Sequence, residues 1–298
     1  MSAEPLSSLA ASFRLAVQAE GRSAATIRLH QQSIRLYCDW LATQGLPADL
    51  DHLTRQLVRT WVAELAESRQ PNTIRTRLLA LTRFARFLAE EGIDDTNRLA
   101  GVVPPTAPDR PVPVFTDDDL AALLRVCSGK EFADRRDEAM LRLLLDTGIR
   151  VSELTGLTVD GVDINNRAAL VTGKGKHIRP IYFGTKTARA LDRYFRARRQ
   201  HRYAELTALL LTQRGAMSAD GVRERLNVIG AAAGVPDVHP HRFRHTFAHD
   251  YLLAGGQQVD LRRLAGWTSD AMLARYGAAG ADLRAREAAQ RLARGDRV

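Results

Sequence analysis

The chain is poor in everything that marks an extracellular, membrane-spanning or metal-stapled protein. It holds two cysteines, Cys38 and Cys127, both set in helix-like apolar patterns and without metal-ligand spacing. That excludes a disulfide scaffold and fits buried thiols in a reducing compartment. No apolar run is long enough to span a bilayer, and the first residues lack the basic start and unbroken apolar stretch of a secretory signal. There is no P-loop, no dinucleotide fingerprint, no convincing zinc spacing, no internal repeat and no low-complexity tract. The expectation is a soluble, cytoplasmic protein with no membrane association, no cofactor and no metal. Lysine is scarce too: of 43 Lys plus Arg only four are lysine, namely Lys130, Lys174, Lys176 and Lys186.

What is present is positive charge. A net charge of +9 favours a polyanionic partner such as nucleic acid, although a generally basic surface accounts for the same number. A length of 298 residues gives room for about two domains, and 45% hydrophobic content supports real cores.

The region up to Leu99 reads as four helices. Ile27, Ile34, Tyr37 and Leu41 recur at helical spacing and stop before Gly45, and Leu57, Trp61 and Leu65 repeat the pattern. Asn72 is the expected cap of a helix carrying Ile74, Leu78, Leu81 and Leu88 and ending at Gly92. Its polar side holds Arg75, Arg77, Arg83 and Arg86, a solvated face or a row of phosphate contacts. Pro104, Pro105, Pro108, Pro111 and Pro113 then crowd a stretch that cannot continue a helix and reads as a semi-rigid spacer over 101–115. Thr116 caps the next helix, with Asp117–Asp119 in its first turn.

The remainder is mixed. Helical patterns run over Leu120–Cys127 and Arg136–Leu145, the latter stopped by Gly148, and a short helix begins at Ser152. Ala168–Thr172 and Ile178–Phe183 then read as a β-hairpin with Gly173-Lys-Gly-Lys at its tip. Helices resume over Thr187–Arg199 and Val222–Ala233, and again from His241, Leu261 and Ser269. His239, His241, His245 and His249 lie close together, but no Cys or Glu completes a metal site nearby.

Four segments carry a resemblance: Asp146-Thr-Gly-Ile-Arg-Val-Ser-Glu-Leu, Gly173-Lys-Gly-Lys, His241-Arg-Phe-Arg-His and Ala274-Arg-Tyr-Gly. In order and approximate spacing they resemble the tyrosine recombinase (phage integrase) family, in its Xer-like form. Each motif alone is weak, whereas four in order are specific, and the likeness covers nearly the whole chain. It implies a mainly α fold with a small β-hairpin or sheet in the catalytic half. It also implies a four-helix, SAM-like core-binding domain over 1–100 and an α+β catalytic domain over 116–298.

The residue types suit the chemistry. Tyrosine attack on a phosphodiester builds charge on the non-bridging oxygens, and guanidiniums meet that charge with a planar fork and a permanent charge. The resemblance puts Arg150 and Arg244 in that role, with Glu153 holding Arg150. Glu153 also reads simply as a first-turn acid complementing the helix dipole. Lys174 matches the general acid for the 5′ oxygen, a task for which lysine can release a proton and arginine cannot. Lys176 is then an ordinary phosphate contact. This turn is one residue tighter than in many Xer-type members. His241 matches the proton-transfer histidine, and Trp267 stands where many members carry a second histidine; its indole N–H donates but cannot act as a base. Tyr276, nine positions later, matches the nucleophile.

The implied function is site-specific DNA cleavage and rejoining through a 3′-phosphotyrosyl intermediate and a four-way junction. The implied partners are double-stranded DNA and copies of the chain in a tetramer, with a paralogous recombinase as an optional partner. A helix over Ala281–Arg294 is expected to dock on a neighbouring protomer. No arm-binding domain is expected ahead of the first helices. The alternatives are a type IB topoisomerase-like relaxing enzyme, a non-catalytic DNA-binding protein and, more distantly, an RNA-binding helical module lacking any RNP-type aromatic strand.

Overall fold

The structure is a computed structural model that describes residues 4–105, 113–173, 177–267, 286 and 289–297. The chain divides into two compact units, Met1–Arg110 and Pro111–Val298.

The first unit contains α1 (Leu6–Ala19), α2 (Ala24–Thr43), α3 (Arg55–Ser68) and α4 (Pro71–Glu90). Ser23 caps α2 by accepting from the Thr26 N–H, and Thr54 caps α3 by accepting from Leu57. The expected Asn72 cap is not formed. Pro71 occupies the first turn of α4, where its missing N–H costs nothing and its fixed φ suits the helix. Asn72 is therefore already helical, and its carbonyl accepts from Thr76 Oγ1 at 2.8 Å. Leu6, Phe13, Tyr37, Trp61, Leu81 and Phe84 fill the core. The buried Tyr37 hydroxyl is satisfied by donating to the His52 carbonyl at 2.8 Å.

In the second unit α5 (Asp117–Val126) starts at a capping box, with Thr116 accepting from the Asp119 N–H and Asp119 accepting from the Thr116 N–H. Next come α6 (Phe132–Thr147) and α7 (Val151–Thr155). The strands β1 (Val162–Asp163), β2 (Ala168–Thr172) and β3 (Ile178–Tyr182) form an antiparallel sheet in that order. After α8 (Thr185–Arg198) follow β4 (Leu211–Thr212) paired to β5 (Gly215–Ala216), then α9 (Ala219–Ala233), α10 (Pro240–Leu253) and α11 (Gln258–Ala265). The two-residue strands β1, β4 and β5 were not expected, because alternation cannot declare itself over two positions. The helix expected from Ser269 lies outside the described residues, as does most of Ala281–Arg294.

The hairpin alternates as a half-buried sheet should: Ala169, Val171 and Ile181 are buried, while Leu170, Ile178 and Tyr182 are exposed. In register, Val171 faces Arg179 and Thr172 faces Ile178. Position 179 therefore lies on the inward-facing series of β3. The core gathers Met140, Leu144, Leu154, Leu191, Tyr194 and Phe243. Phe115 belongs to it as well, although it falls inside the expected spacer. It is buried, its N–H donates to Thr246 Oγ1 at 2.9 Å, its ring packs 4.7 Å from that of Phe243, and the Arg242 guanidinium lies 4.0 Å from its centroid. Cys127 is buried and Cys38 half-buried; desolvation is the main reason their thiols are pushed up to about 12 and about 11.

α6 stops at Gly148, whose φ of +54° is left-handed. A Cβ there would also lie 2.5 Å from the Phe247 ring. Gly148→Ala combines backbone strain with a clash, so the second unit is expected to lose about 2 kcal/mol or more. A lower urea midpoint at unchanged m-value checks this.

Candidate active site

The glycine stop at Gly148 turns the chain sharply into α7. Ile149 is buried, and Arg150 becomes the N-cap of α7 with Glu153 at its third position. Glu153 is 2% exposed. It accepts the Arg150 N–H on Oε2 and Arg150 Nη1 on Oε1, both at 2.9 Å. A second guanidinium reaches it from β3: Arg179 donates from Nη1 to Oε1 at 2.9 Å and from Nη2 to Oε2 at 3.0 Å, a bidentate fork. Burial pushes the Glu153 carboxyl up, but the Arg179 fork, the Arg150 N–H and both guanidinium charges outweigh it and hold the group below its ordinary value.

Arg244 arrives on α10. His239 caps this helix, its ring Nδ1 accepting from the Arg242 N–H at 3.2 Å, and Pro240 fills the first turn. Arg244 is buried. It donates from Nη1 to the Gly148 carbonyl at 2.7 Å and from Nη2 to the Ala265 carbonyl at 2.6 Å, and its guanidinium lies 5.3 Å from the centroid of the buried Trp267 ring.

The C-terminal end of α11 ties these groups together. Its last carbonyls have no partner within the helix and sit at the negative end of the dipole. Leu264 accepts from Arg179 Nε at 3.1 Å, Ala265 from Arg244, and Gly266 from Arg150 Nη2 at 3.1 Å. Gly266 closes the helix in the left-handed region at φ +62°, and a Cβ there would lie 3.0 Å from Arg179 Cζ. Three guanidiniums from three different elements thus share one helix end.

Arg150, Glu153, Arg244 and Trp267 are accordingly brought together. His241 lies on the exposed side of α10, its ring 6.4 Å from that of His245. Lys174, Lys176 and Tyr276 lie outside the described residues. The chain enters the lysine turn at Gly173, where a Cβ would stand 3.5 Å from Glu153 Oε1, so the hairpin tip starts beside the same carboxylate.

Arg179 was missed. Its signal was available: an arginine at an inward-facing position of a strand is an oddity that burial has to explain. Arg242, inside the His-x-x-Arg box, is structural, donating to the Pro236 carbonyl at 2.6 Å and the Val114 carbonyl at 3.0 Å.

In the first unit the arginines of α4 diverge. Arg77 donates to Ser33 Oγ at 3.1 Å and Gln32 Oε1 at 3.0 Å, and Arg83 pairs with Glu20. Arg86 is exposed with Glu90 at 3.6 Å, and Arg75 is exposed. A groove of about 840 Å³ along α1 and α2 is lined by Arg14, Gln18, Arg28, Gln31 and Arg35 among others. Among the described residues no group of three or more His, Cys, Asp and Glu side chains is placed to hold a metal ion, and no helix is long and apolar enough to cross a membrane.

Two guanidiniums on fixed carbonyls, Arg244 buried and Arg150 partly open, with one carboxylate organising Arg150, are an arrangement suited to binding a phosphate. The comparisons with known proteins name the family. The model of the phage integrase family matches residues 113–281, and that of the phage integrase N-terminal SAM-like domain matches residues 12–92. The chain is 36% identical over 254 residues to tyrosine recombinase XerC of Mycobacterium bovis, covering 81% of this chain and 83% of that one. It is 31% identical over 252 residues to tyrosine recombinase XerD of Bifidobacterium longum, covering 80% and 81%. The fold is shared with the Tn1549 transposon integrase in complex with a circular intermediate DNA, at a TM-score of 0.77 and 19% identity over 97% of this chain and 100% of that one. It is also shared with a lambda integrase dimer bound to a core site, at a TM-score of 0.68 and 17% identity over 89% and 96%. The chain belongs to the phage integrase family, the tyrosine recombinases, enzymes of site-specific DNA cleavage and rejoining. The relatives favour this over the topoisomerase and non-catalytic alternatives.

His241 stands in a cationic setting. Desolvation first, and then the charges of His239, Arg244, Arg150 and Arg223, lower its pKa. Its NMR titration midpoint is expected below the ordinary value of about 6.5, rising in Arg150→Gln. Because the unfolded chain takes up this proton first, the group removes stability as the pH falls through about 6.5.

Proposed function

We propose that Tyr276 attacks the scissile phosphate of double-stranded DNA, giving a 3′-phosphotyrosyl link and releasing the 5′ oxygen. The observation that carries this reading is the anchoring of Arg150 and Arg244 on the carbonyls of one helix end, which fixes both guanidiniums before the reaction begins. The two guanidiniums stabilise the charge on the non-bridging oxygens. His241, whose pKa burial and the neighbouring positive charges lower, takes the tyrosine proton, and Lys174 protonates the departing 5′ oxygen. Trp267 donates its indole N–H to the phosphate. A 5′-hydroxyl from the partner strand reverses the step, and since the covalent link conserves the phosphodiester energy, the cycle consumes no ATP.

The first unit grips the DNA core site while the second carries the chemistry. Arg75 and Arg86, exposed on α4, contact phosphates; Arg77 and Arg83 contribute less, being engaged inside the unit. Lys176 adds a phosphate contact from the hairpin. Four protomers assemble on paired sites in the cytoplasm, with a paralogous recombinase able to supply two of them, and the segment Ala281–Arg294 links neighbours.

Tyr276→Phe keeps the ring and removes the attacking oxygen. A nicked suicide substrate on a denaturing gel should show a covalent adduct for the wild type and none for the variant, with DNA affinity retained. An adduct in the variant would refute the nucleophile.

Lys174→Ala should slow cleavage of ordinary DNA by about 10²–10⁴-fold. A 5′-bridging phosphorothiolate, whose sulfur leaves unprotonated, should restore most of the rate. Lys176→Ala should change either rate far less, and failure of the sulfur substrate to rescue would leave Lys174 a purely electrostatic role.

A further inference from the structure

Arg150 cannot do its proposed work alone with Glu153. A guanidinium and a carboxylate in direct contact are neutral as a pair, and a neutral pair offers little to a phosphate gaining charge. The geometry resolves this. Arg150 is the open member, its side chain 38% exposed, whereas those of Glu153 and Arg179 are 1% and 16% exposed. Of the five N–H groups of a guanidinium, Arg150 commits one to Glu153 and one to the Gly266 carbonyl. Arg179 commits all its nitrogens to protein, two to the carboxylate and one to Leu264, so it does not reach the substrate.

We infer that Arg179 is a positioning residue whose charge cancels Glu153 from behind, so that Arg150 is oriented by the carboxylate without being neutralised by it. Arg150, Arg179 and Glu153 together then keep one net positive charge, matching the one negative charge that a phosphodiester gains as tyrosinate attack makes it five-coordinate. The same fork ties the base of the Lys174 hairpin to α7, since Arg179 lies one residue inside the last pair of the β2–β3 ladder.

This inference rests on the recombinase reading, and the test separates the two. Wild type, Arg179→Gln, Arg179→Lys and the double variant Arg179→Gln/Glu153→Gln are compared for adduct formation on the suicide substrate, DNA affinity and thermal unfolding. Absence of an adduct in the wild type would overturn the recombinase reading itself. Given wild-type cleavage, Arg179→Gln should cleave about 100-fold more slowly with DNA affinity within about threefold, the size of effect that follows loss of one transition-state donor. Arg179→Lys, which keeps the charge and sheds the fork, should recover at least about tenfold of that loss. The double variant, with no carboxylate left to cancel, should likewise cleave at least about tenfold faster than Arg179→Gln. A role confined to packing predicts the opposite, a double variant no better than the single one and activities that follow unfolding temperature alone; that pattern, or a fully active Arg179→Gln, overturns the inference.

Discussion

The second unit depends on one buried carboxylate, Glu153. Removing Glu153 from water costs several kcal/mol by itself, and the protein offsets this with four donors, three from guanidiniums and one from the backbone. Such a group cannot be placed approximately. It ties together the start of α7, the rotamer of Arg150 and the path of β3, because each contributes a donor to it.

The end of α11 complements it from the other side. Helix C-termini ordinarily meet solvent or a capping glycine's own amides, but here the final carbonyls receive three arginines. Gly148 and Gly266 make this possible, one by letting α6 turn abruptly into Arg150 and the other by leaving room for Arg179. Trp267, buried in one cluster with Leu261 and Leu252, follows immediately in the sequence, nine positions before Tyr276.

The first unit follows a different economy of charge. Its arginines divide between those closing contacts among α1, α2 and α4, such as Arg77 and Arg83, and those left on the surface, such as Arg75 and Arg28. Polyanion attraction needs only the second group, and its strength should fall steeply with salt.

Much of this was legible in one dimension. Helical periodicity, the Thr116 cap, the Gly148 stop and the hairpin alternation all arise from local physics, in which neighbours along the chain decide conformation. Motif order was enough to single out Arg150, Glu153, Arg244 and Trp267 as a group. Other features were not local. Pro71 displaced Asn72 as the start of α4, a competition between two adjacent helix-start signals that spacing does not rank. Phe115 looked like spacer because its partners, Thr246 and Phe243, are distant in sequence. Arg77 and Arg83 looked like their neighbours on α4 until α2 and Glu20 were placed beside them. Arg179 is the plainest case: sequence makes it one arginine among many, whereas the meeting of β3, α7 and α11 supplies it with a carboxylate and a helix end. Long-range contacts assign charges their partners, and in this chain partnership separates the half-open Arg150 from Arg179, whose nitrogens are all engaged by protein.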